Sequence, residues 1–174
     1  MADIPEGIVL RRDRDLEGRK HDVWIRRSLL ALVGVVPVLA LFNLFGQRPD
    51  TLKASRAPAS LTITAPAGLR GGLLYEARFH IVAHRELKDA ILVLDPGWAE
   101  GMQMNTIEPS PVNEASKNGK LEFTLGHIAA GNSFTLFMQF QVDPTTVGRQ
   151  IANTELWDGK SRILTIPRSI TIYP

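Results

Sequence analysis

A handful of residues in the second half of this chain have types and spacings that could do chemistry. Met102-Gln103-Met104 sets two thioethers one residue apart, and soft thioether donors select Cu(I). His80 and His84 lie in the same half. On a strand they would be about 13 Å apart, too far to share one metal. His127 could reach the methionine pair only through tertiary folding. Met138 sits in an apolar alternation and reads as packing, a common use of methionine. Met102 and Met104 are therefore candidate copper ligands, with core filling as the simpler account. Asp95, Glu100 and Glu108 flank a loop, and a carboxylate pair can do acid–base work. Acids beside turns are usually solvated, and no nucleophile elbow or Ser-His-Asp pattern accompanies them. No enzyme is expected. Trp98 follows the turn Asp95-Pro96-Gly97, and Trp157 precedes Asp158-Gly159. An exposed indole beside a turn can stack on a sugar or anchor a protein interface; one folded back over the end of the domain cannot. Trp98 and Trp157 are the candidate interaction residues.

Composition narrows the remaining classes. The chain has no cysteine, which removes disulfides, thiolate metal sites and cysteine nucleophiles. Lys and Arg number 20 against 18 Asp and Glu. With the two signs interspersed, there is no basic stripe of the kind phosphate binding needs. Aromatic residues make up 7% of the chain, too few for a base-stacking platform. Neither a nucleic-acid partner nor a cofactor is expected.

The elements that must position these residues fall into two regions. Residues 28–46 read as a transmembrane helix, and the stretch from Ser28 to Phe45 is 18 residues without a charge. At 1.5 Å per residue it covers roughly 27 Å, close to the hydrocarbon thickness of a bilayer. Trp24 stands where an indole meets the headgroups. Pro37 removes one helical hydrogen bond and is expected to kink the helix, while Asn43 is polar but near the end. A helix–helix contact built on Gly34, Pro37 and Asn43 lacks a small-xxx-small pair to support it. Seven basic residues precede the helix (Arg11, Arg12, Arg14, Arg19, Lys20, Arg26, Arg27) and three follow it (Arg48, Lys53, Arg56). The excess places the N-terminus inside. A cleaved signal peptide fits less well, because the apolar run is long and no clean cleavage site follows it. Residues 1–27 form a mixed-charge cytoplasmic tail, partly helical near the membrane. Its six acids cancel most of its attraction to anionic lipid.

Beyond a spacer at residues 47–57, the pattern changes to period two over residues 58–174. Tyr75, Ala77, Phe79 and Ile81 alternate with Glu76, Arg78, His80 and Val82, as in a half-buried antiparallel strand. Phe134, Leu136, Met138, Phe140 and Val142 form a second inward row, and Leu121, Phe123 and Leu125 a third. Shorter strands are expected at 61–64, 90–94, 102–107, 151–156, 163–166 and 169–172. Turn pairs separate them, with Asn118-Gly119 and Asp158-Gly159 reading as hairpins. The expected fold is an all-β, immunoglobulin-like antiparallel sandwich behind one N-terminal transmembrane helix.

The stretch from Leu121 through Gly131 to Val142, continuing to Gly148, resembles the late strands of bacterial immunoglobulin-like surface repeats. It has an apolar strand, a small-residue turn with Gly before Ser or Thr, and an alternating strand ending in Val. The likeness covers about 30 residues as sequence. It implies a spacer or an adhesion and assembly platform, without catalytic residues to carry over. The chain is thus expected to be a non-enzymatic interaction or assembly module in the cytoplasmic membrane. Its lipid contact runs through residues 28–46, its sandwich is periplasmic or extracellular, and its partner is a membrane protein. A free sheet edge could take a partner strand. The alternative is an extracytoplasmic domain that binds copper or carbohydrate.

Overall fold

The computed structural model describes residues 20–42 and 47–174. Two compact units divide the chain, one over Met1–Leu44 and one over Phe45–Pro174. In the first, helix α1 spans Lys20–Leu41 and runs unbroken through Pro37. The segment His21–Leu41 is long and apolar enough to cross a membrane, with a mean hydropathy of 1.8. Its apolar side chains, Leu29, Leu32, Val36 and Leu41 among them, are exposed, so it carries no single apolar stripe of the kind a soluble amphipathic helix buries. The helix starts eight residues before Ser28, taking in the charged stretch up to Arg27. The tail at 1–19 and Asn43 lie outside the described residues.

In the second unit, thirteen strands are present among the described residues: β1 (Pro49–Arg56), β2 (Ala59–Pro66), β3 (Gly68–Arg70), β4 (Leu74–Ala83), β5 (Leu87–Leu94), β6 (Met102–Glu108), β7 (Asn113–Lys117), β8 (Lys120–Ile128), β9 (Ser133–Val142), β10 (Gly148–Ile151), β11 (Thr154–Asp158), β12 (Ser161–Ile166) and β13 (Ser169–Tyr173). They form one five-stranded sheet ordered β1-β2-β4-β9-β6 and another ordered β12-β11-β5-β8-β7. A small sheet, β10-β13-β3, completes the domain.

This order is the immunoglobulin-like one. In chain order β2, β4, β5, β6, β9, β11 and β12 take the places of strands A to G. β2-β4-β9-β6 then gives the A-B-E-D sheet, and β12-β11-β5 gives G-F-C. All these pairings are antiparallel. The hairpin β7–β8 is added beside β5, between the D and E positions, and β1 is added outside β2.

Alternation decides which side chains meet. Tyr75, Ala77, Phe79 and Ile81 of β4 are buried, as are Leu136, Met138, Phe140 and Val142 of β9, which matches the expected inward rows. Leu92, Leu94, Phe123, Leu125 and Leu156 close the core from the other sheet. The hairpins form as their turn residues require. Asn118 has φ 52° and Gly119 φ 78°, the paired positive values of a type I′ turn, with Lys117 opposite Lys120.

Two sequence expectations need correction. Residues 47–57 are not a spacer, since they contain β1, paired along its whole length with β2. Its pattern is polar because it is an edge strand that turns only Leu52 and Ala54 toward the core. The single strand expected at 151–156 is two, β10 and β11. Asn153 breaks the run, accepting through Oδ1 a hydrogen bond from the Arg168 backbone N–H.

Candidate functional site

Trp98 is not a surface residue. It is fully buried, in a 3₁₀ turn at Pro96–Trp98 that closes one end of the sandwich. Its ring meets Phe79 edge-on at 5.2 Å and Phe140 at 5.8 Å. Its Nε1–H donates to Thr154 Oγ1 at 3.1 Å, the partner a buried indole requires. The guanidinium of Arg168 lies 5.5 Å from the ring centroid and donates through Nη2 to the carbonyls of Ala65 and Pro66, both at 2.7 Å. The Pro-Gly sequence that suggested an exposed indole instead turns it inward. Gly97 permits this, because a Cβ there would sit 2.2 Å from the Ile151 carbonyl oxygen.

The methionine pair also faces inward. Residues two apart on a strand share a face, and on β6 that face is the core side. Met102 is buried, its sulfur accepting the Tyr75 hydroxyl at 3.1 Å, and Met104 packs partly buried against the core. The Met102 sulfur is thus buried and engaged by Tyr75 rather than open to a metal. His80 bonds Thr135 Oγ1 at 2.8 Å, and His127 pairs with Glu86 at 2.9 Å. Among the described residues, no group of three His, Cys, Asp or Glu is placed to hold a metal.

Trp157 is different. Leu156 and Thr154 of β11 point inward and are buried, so Glu155 and Trp157 point to the outer face. Trp157 is half-buried there, paired across the sheet with Ile91 of β5 and with Arg162 of β12. β5 reads as a nearly continuous apolar run although only one of its faces is in the core. Leu92 and Leu94 enter the core, while Ile91 and Val93 lie under a groove of about 590 Å3 that Trp157 lines with them. The sequence placed Trp157 correctly beside a hairpin. The apolar solvent side of β5 was the available signal for the rest of the groove.

The groove has a definite charge pattern. Lys117, Lys120, Lys160 and Arg162 line it against Glu122 and Glu155. Glu155 is the hub. Its side chain is 10% exposed, and it receives Lys120 Nζ at 2.9 Å and Trp157 Nε1 at 2.8 Å, with Arg162 3.9 Å away. Lys120 also lies 2.9 Å from Asp95 Oδ1. Contacts with Asp95 and then Glu155 raise the Lys120 pKa above its ordinary value. The Arg162 guanidinium sits over the indole, 6.0 Å from its centroid. Lys117 and Lys160 are exposed and line the groove from its two flanking hairpins, and among the described residues neither is in an ion pair. The Lys117–Lys120 hairpin is tied to Asp95, and the Gly159–Lys160 turn is held by Gly159 N–H donating to Asp89 O at 2.8 Å. The groove therefore lies between these two hairpins, over Ile91 and Val93 of β5. The carboxylate hub is thus already engaged by Lys120 and by the Trp157 indole N–H.

No protein-family model matches the chain, and no curated protein matches it. Solved structures of similar fold include the C-terminal domain of wzt, at 10% identity over 74% of this chain and 81% of that one, with a TM-score of 0.42. The human F-spondin reeler domain matches at 12% identity over 68% and 91%, with a TM-score of 0.43. The CARDB domain of the PF1109 protein from Pyrococcus furiosus matches at 13% identity over 72% and 89%, with a TM-score of 0.39.

Proposed function

We propose that this chain is a membrane-anchored, non-enzymatic interaction module whose docking surface is the Trp157 groove. In this reading α1 crosses the cytoplasmic membrane with its N-terminus inside, supported by its length, its all-round apolarity and the seven basic residues before it against three after. The sandwich is then on the outer side of the membrane, as an accessory subunit or assembly factor for a membrane-protein partner. The likeness to bacterial surface repeats points the same way. The observation that carries the reading is the apolar patch of Ile91, Val93 and Trp157 on the solvent side of a sheet, rimmed by cations. An aromatic anchor with an adjacent arginine is the usual composition of an interface hot spot. A carbohydrate platform fits less well, because the Arg162 guanidinium, 6.0 Å from the indole centroid, competes for a ring face.

A photo-crosslinking residue placed at Trp157 in native membranes tests this. One dominant protein adduct should form, and the same probe at Glu76, on the outer face of the other sheet, should not form it. The protein should also stay with the membrane in alkaline carbonate. Equal labelling from both positions would sink the docking surface, and release by carbonate would sink the anchor.

A further inference from the structure

The exposed apolar residues of the sandwich are not scattered. Among the described residues of this unit, large apolar side chains are exposed at Leu73, Leu74, Val112, Val147, Ile151 and Tyr173. All but Val112 belong to the small sheet β10-β13-β3 or to the segments that border it. Backbone bonds draw these segments together. Gly71 N–H donates to Tyr173 O at 3.2 Å, and Val142 N–H donates to Leu73 O at 3.0 Å. Gly71 also lies against the Pro144 carbonyl, where a Cβ would come within 2.7 Å of the oxygen. Tyr173 pairs with Arg70, and Gly148, the residue after Val147, pairs with Ile172. One end of the sandwich thus gathers two leucines at a turn, a valine at a loop and a tyrosine on the last strand. Arg70 and Arg149 are exposed on the two strands that flank β13. Asp143 and Glu100 belong to neighbouring loops, so the charges balance and apolar surface is what this end has to offer.

Aliphatic tips beside a tyrosine and arginines make up a surface suited to the headgroup region of a bilayer, where tyrosine and arginine act as anchors. The length of the connecting chain selects that occupant. Gln47 Nε2 donates to the Leu74 carbonyl at 3.1 Å, so the polypeptide enters the sandwich at this end. Leu41, the last residue of α1, is six residues earlier, and six Cα steps reach at most about 20 Å in any arrangement. A bilayer crossed by α1 is therefore present to this end at high effective concentration, which a free partner does not match. Resting on the reading of α1 as a membrane anchor, we infer that this end of the sandwich seats on the outer leaflet of the bilayer that α1 crosses. Leu73, Leu74 and Val147 enter the headgroup region, Tyr173 sits at its level, and Arg70 and Arg149 meet lipid phosphates. The seat shares no residue with the Trp157 groove, so both can be engaged at once.

The chain has no cysteine, so single cysteines can carry an environment-sensitive nitrobenzoxadiazole probe. The full chain is placed in lipid nanodiscs with the probe on Leu73→Cys, on Val147→Cys or, as the control, on His84→Cys. β4 runs from Leu74 to Ala83, which puts His84 about 33 Å from Leu74. Lipids with a nitroxide at the headgroup end of the acyl chain should quench the first two probes about threefold more than the control, since a seated side chain lies about 5–10 Å into the boundary between headgroups and acyl chains. Leu74→Asp with Val147→Asp, both at exposed positions, should bring quenching of the Leu73→Cys probe down to the control level. Equal quenching at all three positions would overturn the proposal. So would quenching at Leu73→Cys that the aspartates leave unchanged, because the short connection alone would then explain it. A probe shielded from water yet unquenched would mean that a second copy of the chain covers this end, and would also overturn it. Alkaline carbonate separates the two readings: release from the membrane fails the anchor, and the seat with it, whereas a retained chain with unquenched probes loses only the seat.

Discussion

Replacing Trp98 tests whether the core is organised around the turn that buries it. The Trp98→Ala change removes an edge-on contact with Phe79, a tilted contact with Phe140 and the surface under the Arg168 guanidinium. It also leaves Thr154 Oγ1 without its donor, on a residue that is fully buried. Truncating a buried tryptophan costs about 3–5 kcal/mol, aromatic pairs contribute roughly 0.5–1.5 kcal/mol each beyond area, and a buried polar group left unpaired costs about 1–3 kcal/mol. These terms share contacts and do not add, so the expected loss is about 4–5 kcal/mol, a large part of a domain's total stability. Trp98→Phe keeps most of the ring contacts and loses the N–H, for an expected loss of about 1–2 kcal/mol. Adding Thr154→Val to Trp98→Phe removes the orphaned hydroxyl and should recover about 1 kcal/mol relative to the sum of the single changes. Urea unfolding of the detergent-solubilised chain, followed by the far-ultraviolet circular dichroism of the sheets, reads all three. A loss below about 1.5 kcal/mol for Trp98→Ala, or strictly additive behaviour in the double variant, would refute the argument that this indole is a packed and hydrogen-bonded keystone.

Two further predictions follow from neighbouring features. Gly97→Ala should destabilise the domain by about 1–3 kcal/mol in the same assay, because its Cβ has no room beside the Ile151 carbonyl; a neutral result would mean that the turn can shift. Stability should also fall as the pH rises above about 10. Burial raises the Tyr75 pKa, and contacts with Asp95 and Glu155 raise that of Lys120. Above the unfolded values the unfolded chain releases protons that the folded one retains, so the contribution present at neutral pH is lost. Tyr75→Phe combined with Lys120→Met should flatten the urea midpoint between about pH 10 and 11.5, and an unchanged slope would show that neither group is responsible.

The strands of the core were legible because period-two alternation is a direct image of a sheet with one wet face. β4, β8 and β9 could be read residue by residue. β1 and β7 could not, because edge strands bury little; all five residues of β7 are exposed, so its sequence carries no alternation. Trp157 and Trp98 show the limit on site residues. Both stand beside turns in the sequence, yet one faces solvent and the other fills the core. Their backbone settles the difference: β11 projects Trp157 outward in alternation with Leu156, whereas the 3₁₀ turn folds Trp98 across the open end between the sheets. A Pro-Gly pair announces a turn but not its direction, which is set by distant partners such as Thr154 and Arg168. The lysines of the groove were invisible for a related reason, since Lys117, Lys120 and Lys160 come to line one groove only when two hairpins distant in sequence flank β5.

The same edges bear on how a partner would attach. Strand addition needs a flat, unprotected edge, and the free edges of the two large sheets do not offer one. β1 begins with a proline and carries Lys53 and Arg56, the charges that guard natural edges. β6 is interrupted by an irregularity between Met104 and Thr106, which twists its hydrogen-bonding groups out of line. β7 is only five residues long, and a very short edge strand is one way natural sheets limit pairing. β12, the remaining edge, lies close to β1 across a groove between the two sheets, lined by Arg56 and Arg162. The second sheet instead turns a partly buried apolar row outward on its face, where Trp157 and Ile91 lie beside buried Val93 and are framed by charged side chains. Edges that resist pairing and a face that combines Trp157 with charged neighbours together favour recognition through side chains rather than by main-chain pairing.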